Sequence, residues 1–95
     1  LQTLHDDYSA SGLTVITVLY EDASHNPADV AFAATWVSTY GLTHPVLADP
    51  TYEAYGLYFQ GSQPSYVVFD RDMVIQYTGK GTAISTLESE VNKHL

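Results

Sequence analysis

The stretch Gln63–Gly81, QPSYVVFDRDMVIQYTGKG, decides the fold. Ser65 to Phe69 (SYVVF) is a short apolar, β-branched and aromatic run, the composition of a buried strand. Asp70-Arg71-Asp72 supplies turn chemistry, because aspartate bonds its own backbone a residue or two further on. Met73 to Thr78 then returns as a strand in which Ile75 and Tyr77 alternate with Gln76 and Thr78, the pattern of a half-exposed hairpin arm. Gln63-Pro64 stands directly ahead of the first strand, where a proline is tolerated because its missing N–H lies at the strand's start.

Upstream of this hairpin, Leu13 to Tyr20 (LTVITVLY) is nearly unbroken apolar sequence and predicts a strand covered on both faces. Leu1, Leu4 and Tyr8 recur at helical spacing, and Ser9 to Gly12 supply a stop; no capping residue precedes Leu1. Asn26-Pro27 reads as an N-cap with proline in the first helical position, so a helix is expected over 27–40. Its apolar stripe is Val30, Ala33, Ala34, Val37 and Tyr40, widened by Phe32 and Trp36, with Gly41 at C′. Pro45 to Ala48 is a short edge strand ending at Asp49-Pro50, and Thr51 to Gly56 allows a turn or two of helix. Ile84, Leu87, Val91 and Leu95 share one face of a final helix that begins at Thr82 or at the capping box Ser85-x-x-Glu88. The predicted order is helix, strand, helix, short strand, short helix, strand, strand, helix: an α/β sandwich whose mixed sheet ends in an antiparallel hairpin.

Ninety-five residues make a single domain, and 45% hydrophobic with 15% charged residues describe a globular chain. No apolar run reaches the length of about 18 to 20 residues that a membrane span needs, and the N-terminus has no signal-peptide pattern. Eleven acidic residues against three basic ones give a net charge of -8, which opposes binding to nucleic acid and anionic lipid. With no cysteine, the 95 residues carry no disulfide, thiolate nucleophile or sulfur-ligated zinc. His5, His25, His44 and His94 show no metal-ligand spacing and read as unrelated surface or packing residues, His44 at a strand edge. Asp70 and Asp72 read as turn residues and Gly79-Lys80-Gly81 as a plain turn; no serine has a positional link to a histidine base. Metal ions and organic cofactors are not called for.

The order of elements, with GLTVITVLYED, GLTHPVLAD and QPSYVVFDRDMVIQYTGKG in sequence, resembles the thioredoxin-like redoxins, the group of peroxiredoxins and extracytoplasmic thioredoxin-like reductases. The resemblance covers essentially the whole chain. Its most specific piece is Gln63-Pro64-Ser65 leading into Tyr66 to Asp70, which looks like the family's cis-proline and the strand after it. A proline directly before the strand favours the reductase-like members; peroxiredoxins carry an arginine near that place, and none stands between Gly61 and Asp70. Where the family often has glycine after the turn, Met73 stands here, which bears on the turn type.

The resemblance implies a thioredoxin-like three-layer sandwich whose central N-terminal strand and cysteine-bearing turn lie upstream of Leu1, so that 1–95 is a truncated single domain. It implies thiol–disulfide oxidoreductase activity, a disulfide- or thiol-containing protein substrate, a redox partner protein and an extracytoplasmic location. Pro64 takes the role of substrate alignment, with Gln63 and Ser65 contributing backbone. The alternative is a cysteine-free module that binds extended peptides at the strand edge beside Pro64; a peroxiredoxin fragment is a further variant. Tyr52, Tyr55, Tyr58, Phe59 and Tyr66 surround this passage, as an aromatic lip or as packing of the short helix. A missing central strand leaves two rows of backbone groups unpaired, at about 1 to 3 kcal/mol for each buried group against a total stability of about 5 to 15 kcal/mol. Such a chain is expected to need its upstream segment or a strand from another chain, unless the two flanking strands close up and pair.

Overall fold

In the computed structural model, which describes residues 1–95, the elements follow the predicted order. They are α1 (Gln2–Tyr8), a 3-10 turn (Ser9–Ser11), β1 (Thr17–Leu19), α2 (Val30–Tyr40), β2 (Val46–Ala48), α3 (Glu53–Tyr58), β3 (Ser65–Phe69), β4 (Ile75–Lys80) and α4 (Ile84–Asn92). The chain is a small α/β domain with two small sheets and four helices. None of these helices is long and apolar enough to cross a membrane.

The sheet is where the structure departs from expectation. β1 pairs with β2 in parallel, Thr17 opposite Val46 and Leu19 opposite Ala48. β3 pairs with β4 antiparallel, Ser65 opposite Lys80 and Val68 opposite Tyr77. The two pairs are separate sheets, so the expected single mixed sheet is not formed, and β1 and β3 have not closed up on each other.

Backbone geometry shows which edges stay open. Thr17 N–H bonds Pro45 C=O at 3.0 Å and Leu19 C=O accepts from Asp49 N–H at 2.8 Å. In a parallel ladder this turns the groups of Thr17 and Leu19 toward β2 and those of Ile16 and Val18 toward the opposite edge. In the hairpin, Gly81 N–H bonds Pro64 C=O at 2.9 Å, so with the observed register Tyr66 and Val68 face β4. Ser65 and Val67 therefore point their backbone groups away from it.

The two sheets are tied at both ends. Tyr20, just past β1, donates its hydroxyl to Gln63 Oε1, just ahead of β3. At the other end Arg71 Nη2, past β3, donates to Ser11 C=O, ahead of β1, at 3.2 Å. β1 and β3 thus run in opposite directions, each with one edge open. The second tie needs Gly12: its φ is +107°, and a Cβ there would lie 3.0 Å from Arg71 Nη2.

β1 is shorter than the predicted 13–20 because β2 offers only three residues to pair with. It is also not covered on both faces. Thr17 points to the side occupied by α1 and α2, where its Oγ1 meets His44 Nε2 at 2.9 Å. Residues of the alternate parity, Ile16 (52% exposed), Val18 (40%) and Leu47 (51%) in β2, leave an apolar face in solvent. The buried apolar side chains are Leu4, Val15, Ala28, Ala33, Leu87 and Val91, supplied by α1, α2, α4 and the loops beside them. The surface is 6069 Å², where a folded monomer of this mass exposes about 5,400 Å². The radius of gyration is 13.5 Å, against about 12.4 Å for a closed domain of this length.

Three helix starts differ from the sequence reading. α2 begins at Val30, capped by Asp29, whose carboxylate accepts from Phe32 N–H at 2.8 Å. Asn26-Pro27 cannot cap it, because Asp22 takes the N–H groups of Ser24 and Asn26 at 2.8 and 3.0 Å and folds Pro27 into a bridge with Glu21. Val30 and Tyr40, 79% and 59% exposed, and Ala34, also exposed, leave the apolar stripe, of which Ala33 is the buried member, while Gly41 takes the expected C′ place with φ 61°. α4 starts at Ile84 behind Ala83 with no side-chain cap, so the Ser85-x-x-Glu88 box is not made. Glu88 instead accepts from the Tyr8 hydroxyl at 2.6 Å, joining α4 to α1, and Thr82 pairs with the Tyr77 hydroxyl at 2.9 Å. Ile84 and Leu95 remain exposed, and only Leu87 and Val91 are buried. α3 begins at Glu53, on Asp49 rather than on Thr51.

Candidate functional site

The Gln63–Pro64 peptide bond is cis. The loop that carries it is closed by Ser65, whose Oγ accepts from Gln60 N–H at 3.0 Å and donates to Ser62 C=O at 2.7 Å. Gln63 is held from the other sheet by Tyr20. The side chains of Gln63 and Ser65 thus hold the loop in place. The Pro64 carbonyl is engaged by Gly81, so the free backbone groups at this edge belong to Ser65 and Val67.

Beside the proline loop four aromatic rings come together. The Tyr20 ring lies 4.7 Å from Tyr55, 5.9 Å from Phe59 and 6.2 Å from Tyr52, and Tyr55 stacks on Phe59 at 4.3 Å. Tyr52 and Tyr55 meet edge to face at 5.8 Å. Three members of the expected lip, Tyr52, Tyr55 and Phe59, are here; Tyr58 turns instead to Phe69, 5.8 Å away. Tyr20 was read only as the end of a strand. Its position gave the available signal, since ligand sites in α/β sheets gather beyond the carboxyl ends of strands.

Asp49 builds this cluster from beneath. Its buried carboxylate accepts from Glu53 N–H through Oδ1 and from Tyr55 N–H through Oδ2, both at 2.9 Å. Its carbonyl accepts from Tyr52 N–H at 3.1 Å. Tyr52 is held at φ 59°, a left-handed conformation rare for an aromatic residue.

Tyr20, Tyr52, Tyr55 and Glu21 line a cleft of about 230 Å³. Tyr52 donates its hydroxyl to Glu21 Oε2 at 3.2 Å. Desolvation, followed by the Glu21 charge, raises the phenol pKa of both Tyr20 and Tyr52 above the ordinary value, so both hydroxyls stay protonated at neutral pH.

A second polar assembly pins α1 to the first sheet. Gln2 Oε1 accepts from Thr43 N–H at 3.0 Å and from His44 Nδ1 at 2.8 Å, and this leaves Nε2 to take the Thr17 hydroxyl proton. His44, just ahead of β2, is buried as a packing residue, and its ring stands 5.9 Å from that of His5, so these two histidines are not unrelated. Burial, reinforced by His5, lowers the His44 pKa. Asp70 and Asp72 lie in the hairpin turn as expected: Asp70 accepts from Val74 N–H, Asp72 N–H and Gln76 Nε2 at 2.8 to 3.0 Å. The chain matches no protein-family model, and neither the curated proteins nor the solved structures compared with it give a match.

Proposed function

We propose that this chain is the larger part of a thioredoxin-like redoxin domain that exchanges thiols and disulfides, with its cysteines in a strand and turn upstream of Leu1. The observation that carries the reading is a pair of open edges, Ile16 and Val18 on one sheet and Ser65 and Val67 on the other, on two sheets linked by the Tyr20–Gln63 and Ser11–Arg71 contacts. One extended segment laid between them, parallel to β1 and antiparallel to β3, completes a single mixed sheet of the redoxin kind. The bare Ile16, Val18 and Leu47 face and the enlarged surface fit a domain from which a central element is absent.

In this reading the first thiolate attacks a substrate disulfide and expels one substrate sulfur as thiolate. The second thiol, once deprotonated, attacks the mixed disulfide and releases the other. The substrate leaves reduced and the domain leaves as a disulfide, which a partner protein's dithiol reduces. Pro64 aligns the substrate chain, with Gln63 fixed beside it by Tyr20.

A second reading rests on the same free edge of β3: a module that accepts an extended peptide by strand addition and does no chemistry. The test is an insulin-reduction assay on the protein made from its natural start codon, with that reading frame sequenced ahead of Leu1. The redoxin reading expects an apolar strand and a cysteine-bearing turn there, and disulfide reduction abolished by Cys→Ser. A natural form that lacks cysteine, or whose cysteines do no exchange, overturns it and leaves the peptide-binding reading.

A further inference from the structure

We propose that the cleft of Tyr20, Glu21, Tyr52 and Tyr55 binds an organic cation, an ammonium or guanidinium group seated on the tyrosine faces with Glu21 as its counter-charge. Three observations combine. The rings are held at large mutual angles, 46° for Tyr20 and Tyr55, 61° for Tyr20 and Tyr52, 70° for Tyr52 and Tyr55, so they do not stack on one another, and with Glu21 they line a common space while Phe59 takes one face of Tyr55. The space is an open depression at the surface, which a trimethylammonium head or a lysine or arginine end can reach directly from solvent. Glu21 is the carboxylate in its wall, and no lysine or arginine pairs with it: its contacts are the Tyr52 hydroxyl on Oε2 and the exposed ring of His25, 3.7 Å from Oε1.

The walls are built rather than loose. Ala28 N–H bonds Tyr20 C=O and Asp22 N–H bonds Asn26 C=O, both at 2.9 Å, which fixes Glu21 between them. Asp49 fixes Tyr55 through its carboxylate and Tyr52 through its carbonyl, and Tyr52 is kept in a left-handed conformation that turns it toward Tyr20. Neutral phenols beside a carboxylate present negative ring faces and a negative charge together, the chemistry that recognises a cation. The net charge of -8 adds a long-range attraction for it. This site is independent of thiol chemistry; it adjoins Gln63 and so serves a basic side chain on a bound peptide as readily as a free quaternary amine.

The test is a titration followed on the ring resonances of Tyr20, Tyr52 and Tyr55, with choline against its uncharged carbon isostere 3,3-dimethylbutan-1-ol. A lysine peptide is run in parallel against its norleucine analogue. Binding of choline but not the isostere assigns a free cation; binding of the lysine peptide but not the analogue assigns a side chain; both outcomes support the site. Each cation contact of this kind is worth about 2- to 30-fold in affinity, and Glu21→Gln and Tyr55→Leu are each expected to weaken binding by a factor in that range. Trp36 fluorescence, remote from the cleft, reports whether a variant is folded, and Glu21→Gln keeps the side chain's shape should Tyr55→Leu fail to fold. Equal responses to charged and uncharged members of both pairs, or no response of the three rings, overturns the proposal whether or not the protein reduces disulfides.

Discussion

Single polar residues hold the aromatic cluster and the first sheet of this molecule in place. Asp49 is buried and satisfies two amides at the start of α3. Replacing it with Ala removes both acceptors from part-buried donors, and the expected loss is about 1 to 3 kcal/mol, read from urea unfolding. The same change should release Tyr52 and Tyr55 and broaden their ring resonances. His44 gives a pH signature. Its pKa is lowered in the fold, so the unfolded chain binds the proton more readily. Stability from the neutral His44 is complete above the unfolded value of about 6.5 and is lost as pH falls through the lower folded value. A His44→Gln variant should therefore show a flatter stability profile between about pH 7 and 5. Equal slopes in wild type and His44→Gln would contradict the assignment.

Among the elements, the β3–β4 hairpin is the best specified and carries one identifiable fault. Met73 sits at φ 63° in the turn and is 73% exposed, so it has a left-handed backbone without packing to offset it. A non-glycine residue there costs about 1 to 2 kcal/mol, and glycine's extra unfolded-state entropy returns about 0.5 to 1 of it. Met73→Gly should therefore raise stability by roughly 0.5 to 1 kcal/mol; a lower denaturation midpoint would show that the turn relies on the methionine side chain. The hairpin was legible because Ser65–Phe69, the aspartates and the alternating arm all point to one structure. The start of α2 was not, since Asn26-Pro27 satisfies the local rules for a cap while Asp22, several residues earlier, captures that same backbone. The capping box of α4 failed for a similar reason: Glu88 finds Tyr8, a residue far away in sequence. Local patterns cannot show which distant partner competes for a side chain.

At the scale of the whole molecule, the order of elements could be read from hydrophobic period and turn residues, while the pairing of strands could not. Leu13–Tyr20 reads as a doubly covered strand because its composition suits a complete sheet; in this chain only Thr17–Leu19 is paired, and Ile16 and Val18 face solvent. Composition alone does not tell how many neighbours a strand will find. Pro64 and its flanking residues could be singled out from sequence as candidates, and Tyr20 and Glu21 could not, because they join Tyr52 and Tyr55 only when the loop of 21–28 and the start of α3 meet. The claim on which the account rests is that the edges of β1 and β3 receive one common strand. Residue-resolved amide exchange on the protein made from its natural start codon tests it most directly. The account predicts slow exchange at Ile16, Val18, Ser65 and Val67 in that form, and fast exchange at the same four amides in residues 1–95 alone; fast exchange at all four in both forms would contradict it.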